Sequence, residues 1–124
     1  MLLLIDDDLD FLVSTAKRLE LRGYSVKTAS TRQALAPILP PPSNELVLIF
    51  VDYGMDDGGT PLWRDLASTP VPTYVMTGLG TGFPGHAEVL TAGIRGILRK
   101  PLVIEEVLRI LALHGEKPNL PRES

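Results

Sequence analysis

The chain has 124 residues and a mass of 13.5 kDa, which fits one globular domain. Its net charge of −3 leaves no excess of basic residues to neutralise a phosphate backbone, so we expect no binding of nucleic acid. The absence of cysteine excludes disulfides, thiolate metal sites and cysteine nucleophiles. The two histidines are too few and too far apart in the sequence to indicate zinc.

The amino-terminal residues show no targeting pattern. Five apolar residues are followed at once by acidic ones, without the basic leader or the cleavage site of a signal peptide. No apolar run in the sequence reaches the length that a membrane-spanning helix needs. We therefore expect a cytoplasmic protein that makes no membrane contact.

Short apolar runs alternate along the chain with stretches of helical periodicity. Strands are predicted at residues 2–5, 24–29, 46–51, 72–76 and 94–98. Helices are predicted at residues 10–21, 31–39, 61–67, 86–92 and 103–113. This alternation is typical of an α/β domain with a doubly wound parallel sheet covered on both faces. We expect the domain to occupy residues 1–114 and residues 115–124 to form a disordered tail.

Polar side chains follow four of the five predicted strands. In chain order they are Asp6, Asp7 and Asp8 after the first strand, Asp52 after the third, Thr77 after the fourth and Lys100 after the fifth. Ligands of such sheets bind beyond the carboxyl ends of the strands, at the point where the strand order reverses. The sequence therefore predicts that acids, a hydroxyl and an amine converge on one edge of the sheet.

This combination of groups has a definite chemistry. Carboxylates brought close together repel one another, so they either raise a pKa or hold a cation. Since all the ligands would be oxygens, the cation would be a hard one, with Mg²⁺ the first choice. A hydroxyl and an ammonium group would neutralise and bind a phosphoryl group, and a carboxylate can attack it. The set indicates phosphoryl transfer to an aspartate.

These residues resemble the receiver domain of bacterial two-component response regulators. The resemblance rests on IDDD after the first strand, Asp52 after the third, MTG with Thr77 and RKP with Lys100, and it covers residues 1–113. It implies a flavodoxin-like sheet of strand order 2-1-3-4-5. It also implies that a sensor histidine kinase or phosphotransfer protein donates the phosphoryl group and that a downstream protein effector reads it. Such a domain catalyses its own phosphorylation and dephosphorylation and is not otherwise an enzyme.

The resemblance also implies roles for single residues. The implied Mg²⁺ ligands are Asp6, Asp7, Asp52 and the carbonyl group of Gly54, with Asp7 a direct ligand of the ion. The implied phosphoryl-transfer residues are Asp52 as acceptor, Thr77 as switch hydroxyl and Lys100 as phosphate-binding lysine, the last with a cis peptide bond to Pro101. The family often has an aromatic residue three positions before the lysine, where this chain has Ile97.

Two other functions fit parts of the same sequence. If Asp57 and Gly58 are aligned with the family's usual Asp-Gly pair, Phe50 stands at the acceptor position, and the chain would be a pseudo-receiver that binds partners without being phosphorylated. The order Asp-x-Asp, Thr, Lys also occurs in haloacid-dehalogenase-like phosphatases. That class needs a further acidic motif after the lysine, for which only Glu105 and Glu106 are available.

Overall fold

The computed structural model describes residues 1–36, 46–55, 60–79 and 83–119. Five strands form one parallel sheet, with the order β2-β1-β3-β4-β5. Their bounds are Leu2–Ile5 (β1), Val26–Ala29 (β2), Leu48–Asp52 (β3), Thr73–Thr77 (β4) and Gly96–Arg99 (β5). The five-stranded, doubly wound parallel sheet and its strand order are thereby confirmed.

Four α-helices and one short 3-10 helix lie between and after the strands in the described residues. The α-helices are Leu9–Glu20 (α1), Leu62–Leu66 (α2), His86–Thr91 (α3) and Ile104–Leu113 (α4). The helix predicted at 31–39 is a 3-10 helix at Gln33–Leu35 within its described part, and residues 37–39 lie outside the described residues. In the described ranges no helix combines the length and the apolar character needed to cross a bilayer.

The helices cover both faces of the sheet, so the domain has two apolar layers. One layer packs Leu3, Ile5 and Val75 of the sheet against Trp63 of α2 and Val89 of α3. The other layer lies between the sheet and the helices α1 and α4, and it includes Phe50, Leu19, Val107 and Leu111. Because the central strands are buried on both sides, they are continuous apolar runs rather than alternating ones.

The register of the sheet aligns the ends of its central strands. Ile5 of β1 pairs with Val51 of β3, so Asp6 and Asp52 come next side by side. The strands β3 and β4 each end one residue later than predicted, because Asp52 pairs with Met76 and Thr77 pairs with Arg99. Asp52 and Thr77 are therefore the last residues of their strands and not the first residues after them.

Candidate functional site

Three carboxylates meet at the carboxyl ends of β1 and β3. Asp6, Asp7 and Asp52 each offer an oxygen, and these atoms lie within 4.8 Å of one another. The Asp6 side chain is 1% exposed and that of Asp52 is 14% exposed, whereas Asp7 is open to solvent. The cluster is thus partly buried but reachable from solution.

The three aspartates that follow β1, Asp6 to Asp8, make different contacts. One oxygen of Asp6 accepts a hydrogen bond from Asp8 N–H at 3.0 Å, and the other accepts one from Lys100. Asp8 points elsewhere: its side chain accepts from Phe11 N–H at 3.1 Å and so caps the first turn of α1. Two acids of the run remain for the site, and the third begins the helix.

Lys100 joins the buried acids across the sheet. Its ammonium donates to Asp6 at 2.5 Å and to Asp52 at 2.6 Å. The residue follows β5 directly, where its N–H donates to the Thr77 carbonyl at 2.8 Å, and its peptide bond to Pro101 is cis. Burial alone would lower the pKa of Lys100, but the hydrogen bonds and charges of Asp52 and Asp6 outweigh it and raise the pKa. The amine therefore stays protonated.

For the pKa of Asp52, burial outweighs the hydrogen bonds, whereas for Lys100 it does not. Removal from water is the largest influence and raises the pKa of its carboxyl group, and the negative charge of Asp6 adds to this. The hydrogen bond from Lys100 and one from the Gly54 backbone act in the other direction without cancelling the rise. A carboxylate that is incompletely neutralised in this way favours the approach of a further cation.

Thr77 and Gly54 lie at the ends of the neighbouring segments. Thr77 is 4% exposed, and its hydroxyl oxygen accepts a hydrogen bond from Leu79 N–H at 3.0 Å, which orders the start of the loop after β4. Gly54 lies so close to Asp52 that a Cβ on it would be 3.6 Å from a carboxylate oxygen. Gly54 therefore borders the acidic cluster, and Thr77 ends the strand that pairs with β3.

Phe50 occupies a different environment from Asp52, although both side chains are on the same face of β3. Phe50 is completely buried in the layer beneath α1 and α4, where its ring makes an edge contact with Tyr74 at 5.6 Å. Asp52 stands two residues further along, beyond the core. The structure brings Asp52, and not Phe50, into contact with Lys100.

Two aromatic features of the site were not found from the sequence. Tyr53 stacks on Trp63 and contacts the Phe83 ring edge to face at 4.8 Å, and its hydroxyl donates to the Pro84 carbonyl at 3.1 Å. Phe11 lies beside the Lys100 ammonium, 5.0 Å from the centre of its ring. The position of Tyr53 directly after Asp52 was the available signal for the first feature, and nothing local signalled the second.

The fold of this chain is similar to that of solved response regulators. A response regulator from Clostridium difficile is 26% identical over 90% of this chain and 93% of its own, with a TM-score of 0.73. A receiver domain protein from Methanospirillum hungatei is 24% identical over 90% of both chains, also with a TM-score of 0.73. A response regulator from Burkholderia pseudomallei, solved with a phosphorylated aspartic acid, a calcium ion and citrate, is 24% identical over 92% of this chain and 72% of its own, with a TM-score of 0.68.

No protein-family model matches the chain, and no curated protein matches it either. The structural matches nevertheless agree in one architecture over about nine-tenths of the chain. The chain therefore has the fold of response-regulator receiver domains, as the resemblance of its motifs implied. This fold supports a response-regulator function in general terms, because the matched structures are described as a receiver domain protein and a two-component response regulator.

Proposed function

We propose that this chain is a response-regulator receiver domain that accepts a phosphoryl group on Asp52 from a sensor histidine kinase or a phosphotransfer protein. The observation that carries the proposal is the bridge that Lys100 makes between Asp6 and Asp52 at the carboxyl edge of the sheet. A carboxylate held next to a second acid and an ammonium group suits attack on a phosphoryl group better than it suits a purely structural role.

The transfer is a single displacement at phosphorus. An oxygen of Asp52 forms a bond to phosphorus while the bond from phosphorus to the donor's imidazole nitrogen breaks, and the imidazole leaves with that electron pair. Lys100 donates to a phosphoryl oxygen instead of to the carboxylates that it bridges in the free protein. Thr77, at the end of the neighbouring strand, donates its hydroxyl to another oxygen.

The donor set also fits Mg²⁺. Asp6, Asp7 and Asp52 offer carboxylate oxygens within 4.8 Å of one another, and the Gly54 carbonyl is the proposed fourth protein ligand. Oxygen atoms alone are the ligands that Mg²⁺ prefers. When bound, the ion supplies positive charge to the oxygens of the transferring group. The structure from Burkholderia pseudomallei, which has the same fold, was solved with a calcium ion and a phosphorylated aspartic acid, and this is compatible with a divalent cation here.

We propose that the output is a contact with a downstream protein effector in the cytoplasm, and not with nucleic acid, because the chain is acidic. The two other functions considered from the sequence gain no support from the geometry. A pseudo-receiver with Phe50 at the acceptor position conflicts with the burial of that ring in the core. A phosphatase of the haloacid-dehalogenase type would use Asp8 as its second acid, and Asp8 caps α1.

Intact-mass spectrometry after incubation with acetyl phosphate and Mg²⁺ tests the proposal. The wild type and the control Asp10→Asn, which alters an exposed acid on α1, should each gain one phosphoryl group. Asp52→Asn should gain none, because its amide is not a nucleophile. No adduct on the wild type, or an adduct that survives Asp52→Asn, contradicts the proposal. Continuous release of phosphate from a phosphate ester would favour the phosphatase instead.

A further inference from the structure

The Lys100 ammonium has a third neighbour that the proposed chemistry leaves unused. Asp6 and Asp52 accept two of its hydrogen bonds, and the ring of Phe11 lies against it, with the nitrogen 5.0 Å from the ring centre. An ammonium group at this distance from an aromatic face is attracted by the negative charge of the π-system. The amine is therefore held from two directions, by the acids of the sheet and by a ring of α1.

Phe11 is itself well placed to act as a fixed surface. It is half-buried and packs against the apolar layer between the sheet and the helices α1 and α4. Its backbone N–H donates to the Asp8 side chain, which fixes the first turn of α1. The ring thus comes from a capped turn that follows directly after the acidic run, so its position is tied to that of the carboxylates.

Lys100 needs such a surface. Its charge stands at the end of a flexible four-carbon chain, and its side chain is 22% exposed, so water competes for the ammonium. A leucine at position 11 would fill the same apolar space but would not attract the charge. An aromatic face adds an attraction on the ammonium to the hydrogen bonds that it makes with Asp6 and Asp52.

We propose that Phe11 is a positioning residue, whose ring holds the Lys100 ammonium beside Asp52 in readiness for the incoming phosphoryl group. This inference rests on the proposed function, because it assigns Phe11 a part in the same transfer. Loss of the attraction should slow phosphoryl transfer by about two- to fivefold, the effect of a cation–π contact at a partly exposed site. It should not weaken the binding of Mg²⁺, since Phe11 contributes no ligand.

Fluorination of the ring separates its charge from its shape. Site-specific replacement of Phe11 by mono-, di- and trifluorophenylalanine removes π-electron density step by step while keeping an apolar ring. The rate of adduct formation from acetyl phosphate and Mg²⁺ should fall with each fluorine. The matched control is the same series at Phe50, a completely buried ring whose described ring contact is with Tyr74, and there the rate should not follow the number of fluorines.

A second measurement does not depend on phosphorylation. The Lys100 Hε protons should show an upfield ring-current shift in the NMR spectrum of the wild type, and Phe11→Leu should abolish it. Equal rates across the Phe11 series, or Hε shifts that are the same in the wild type and in Phe11→Leu, would overturn the inference. If the wild type forms no adduct at all, the proposed function fails, and the ring-current shift alone then decides whether Phe11 holds the amine.

Discussion

Replacing Lys100 by methionine removes the cation that separates two buried carboxylates. Asp6 is 1% exposed and Asp52 is 14% exposed, so neither acid can be fully solvated once the ammonium is gone. Breaking a fully buried ion pair costs about 3–5 kcal/mol, and because this site opens to solvent on one side we expect about 2 kcal/mol. With the usual dependence on denaturant, the urea midpoint of Lys100→Met should fall by about 1 M.

Magnesium should reverse part of this loss. The carboxylates of Lys100→Met have no internal cation, so Mg²⁺ should bind them more tightly than it binds the wild type and should stabilise the variant more. Urea unfolding with and without Mg²⁺ measures both effects. The control is Lys27→Met, which removes an exposed lysine of β2 and should change neither midpoint appreciably. A midpoint for Lys100→Met equal to that of the wild type without Mg²⁺ would refute the reasoning.

The remaining predictions concern the acceptor and its surroundings. The pKa of Asp52 is higher in the folded protein than in the unfolded chain, where it is about 3.9. The folded state therefore favours the protonated carboxyl group, and the stability that this adds is complete below about pH 3.9 and is lost as the pH rises through the pKa of the folded protein. As the pH rises through this range, the free energy of unfolding of Asp52→Asn should therefore increase relative to that of the wild type. Urea unfolding of both proteins from acid to neutral pH measures this, and a difference between them that does not change with pH would contradict it. Gly85→Ala should lower stability by about 1–2 kcal/mol, because φ is +94° and a Cβ would meet the Tyr53 hydroxyl at 2.6 Å; an unchanged thermal midpoint would be the contrary result. Beryllofluoride should move Thr77 while Ile97 keeps its rotamer, since Ile97 has no ring to swing, and crystal structures with and without the analogue would show a different outcome directly.

The sheet could be predicted from the sequence because burial on both faces leaves a direct pattern. The apolar run before Asp52 has no polar position, which is typical of a central parallel strand, and the structure places it as β3 between β1 and β4. The prediction ended this strand one residue early because pairing with the neighbour, not the local pattern, determines where a strand ends. The α-helix predicted at 31–39 is not formed in its described part, where the chain makes only a 3-10 helix at Gln33–Leu35. The local preference of a sequence for an α-helix is weak, and its surroundings in the fold can override it.

Only part of the candidate site could be predicted from the sequence. The meeting of the acids with the amine, which follow different strands, could be predicted from the sequence, because parallel strands end at one edge of the sheet. The sequence named Asp52 and left Phe50 as the alternative; the contact of Asp52 with Lys100 and the burial of Phe50 in the core are seen only in the structure. The contact between Phe11 and Lys100 could not be predicted, because it depends on how α1 packs beside the end of β5.

Locating the phosphoryl group on the chain is the most direct test of the central claim. Borohydride reduces an aspartyl phosphate to homoserine, so protein treated with acetyl phosphate and Mg²⁺ can be reduced, digested and sequenced by tandem mass spectrometry. We expect homoserine at position 52 and aspartate at positions 6 and 7. Homoserine at position 6 or 7 with aspartate retained at 52, or no homoserine in a protein that binds Mg²⁺, would contradict it.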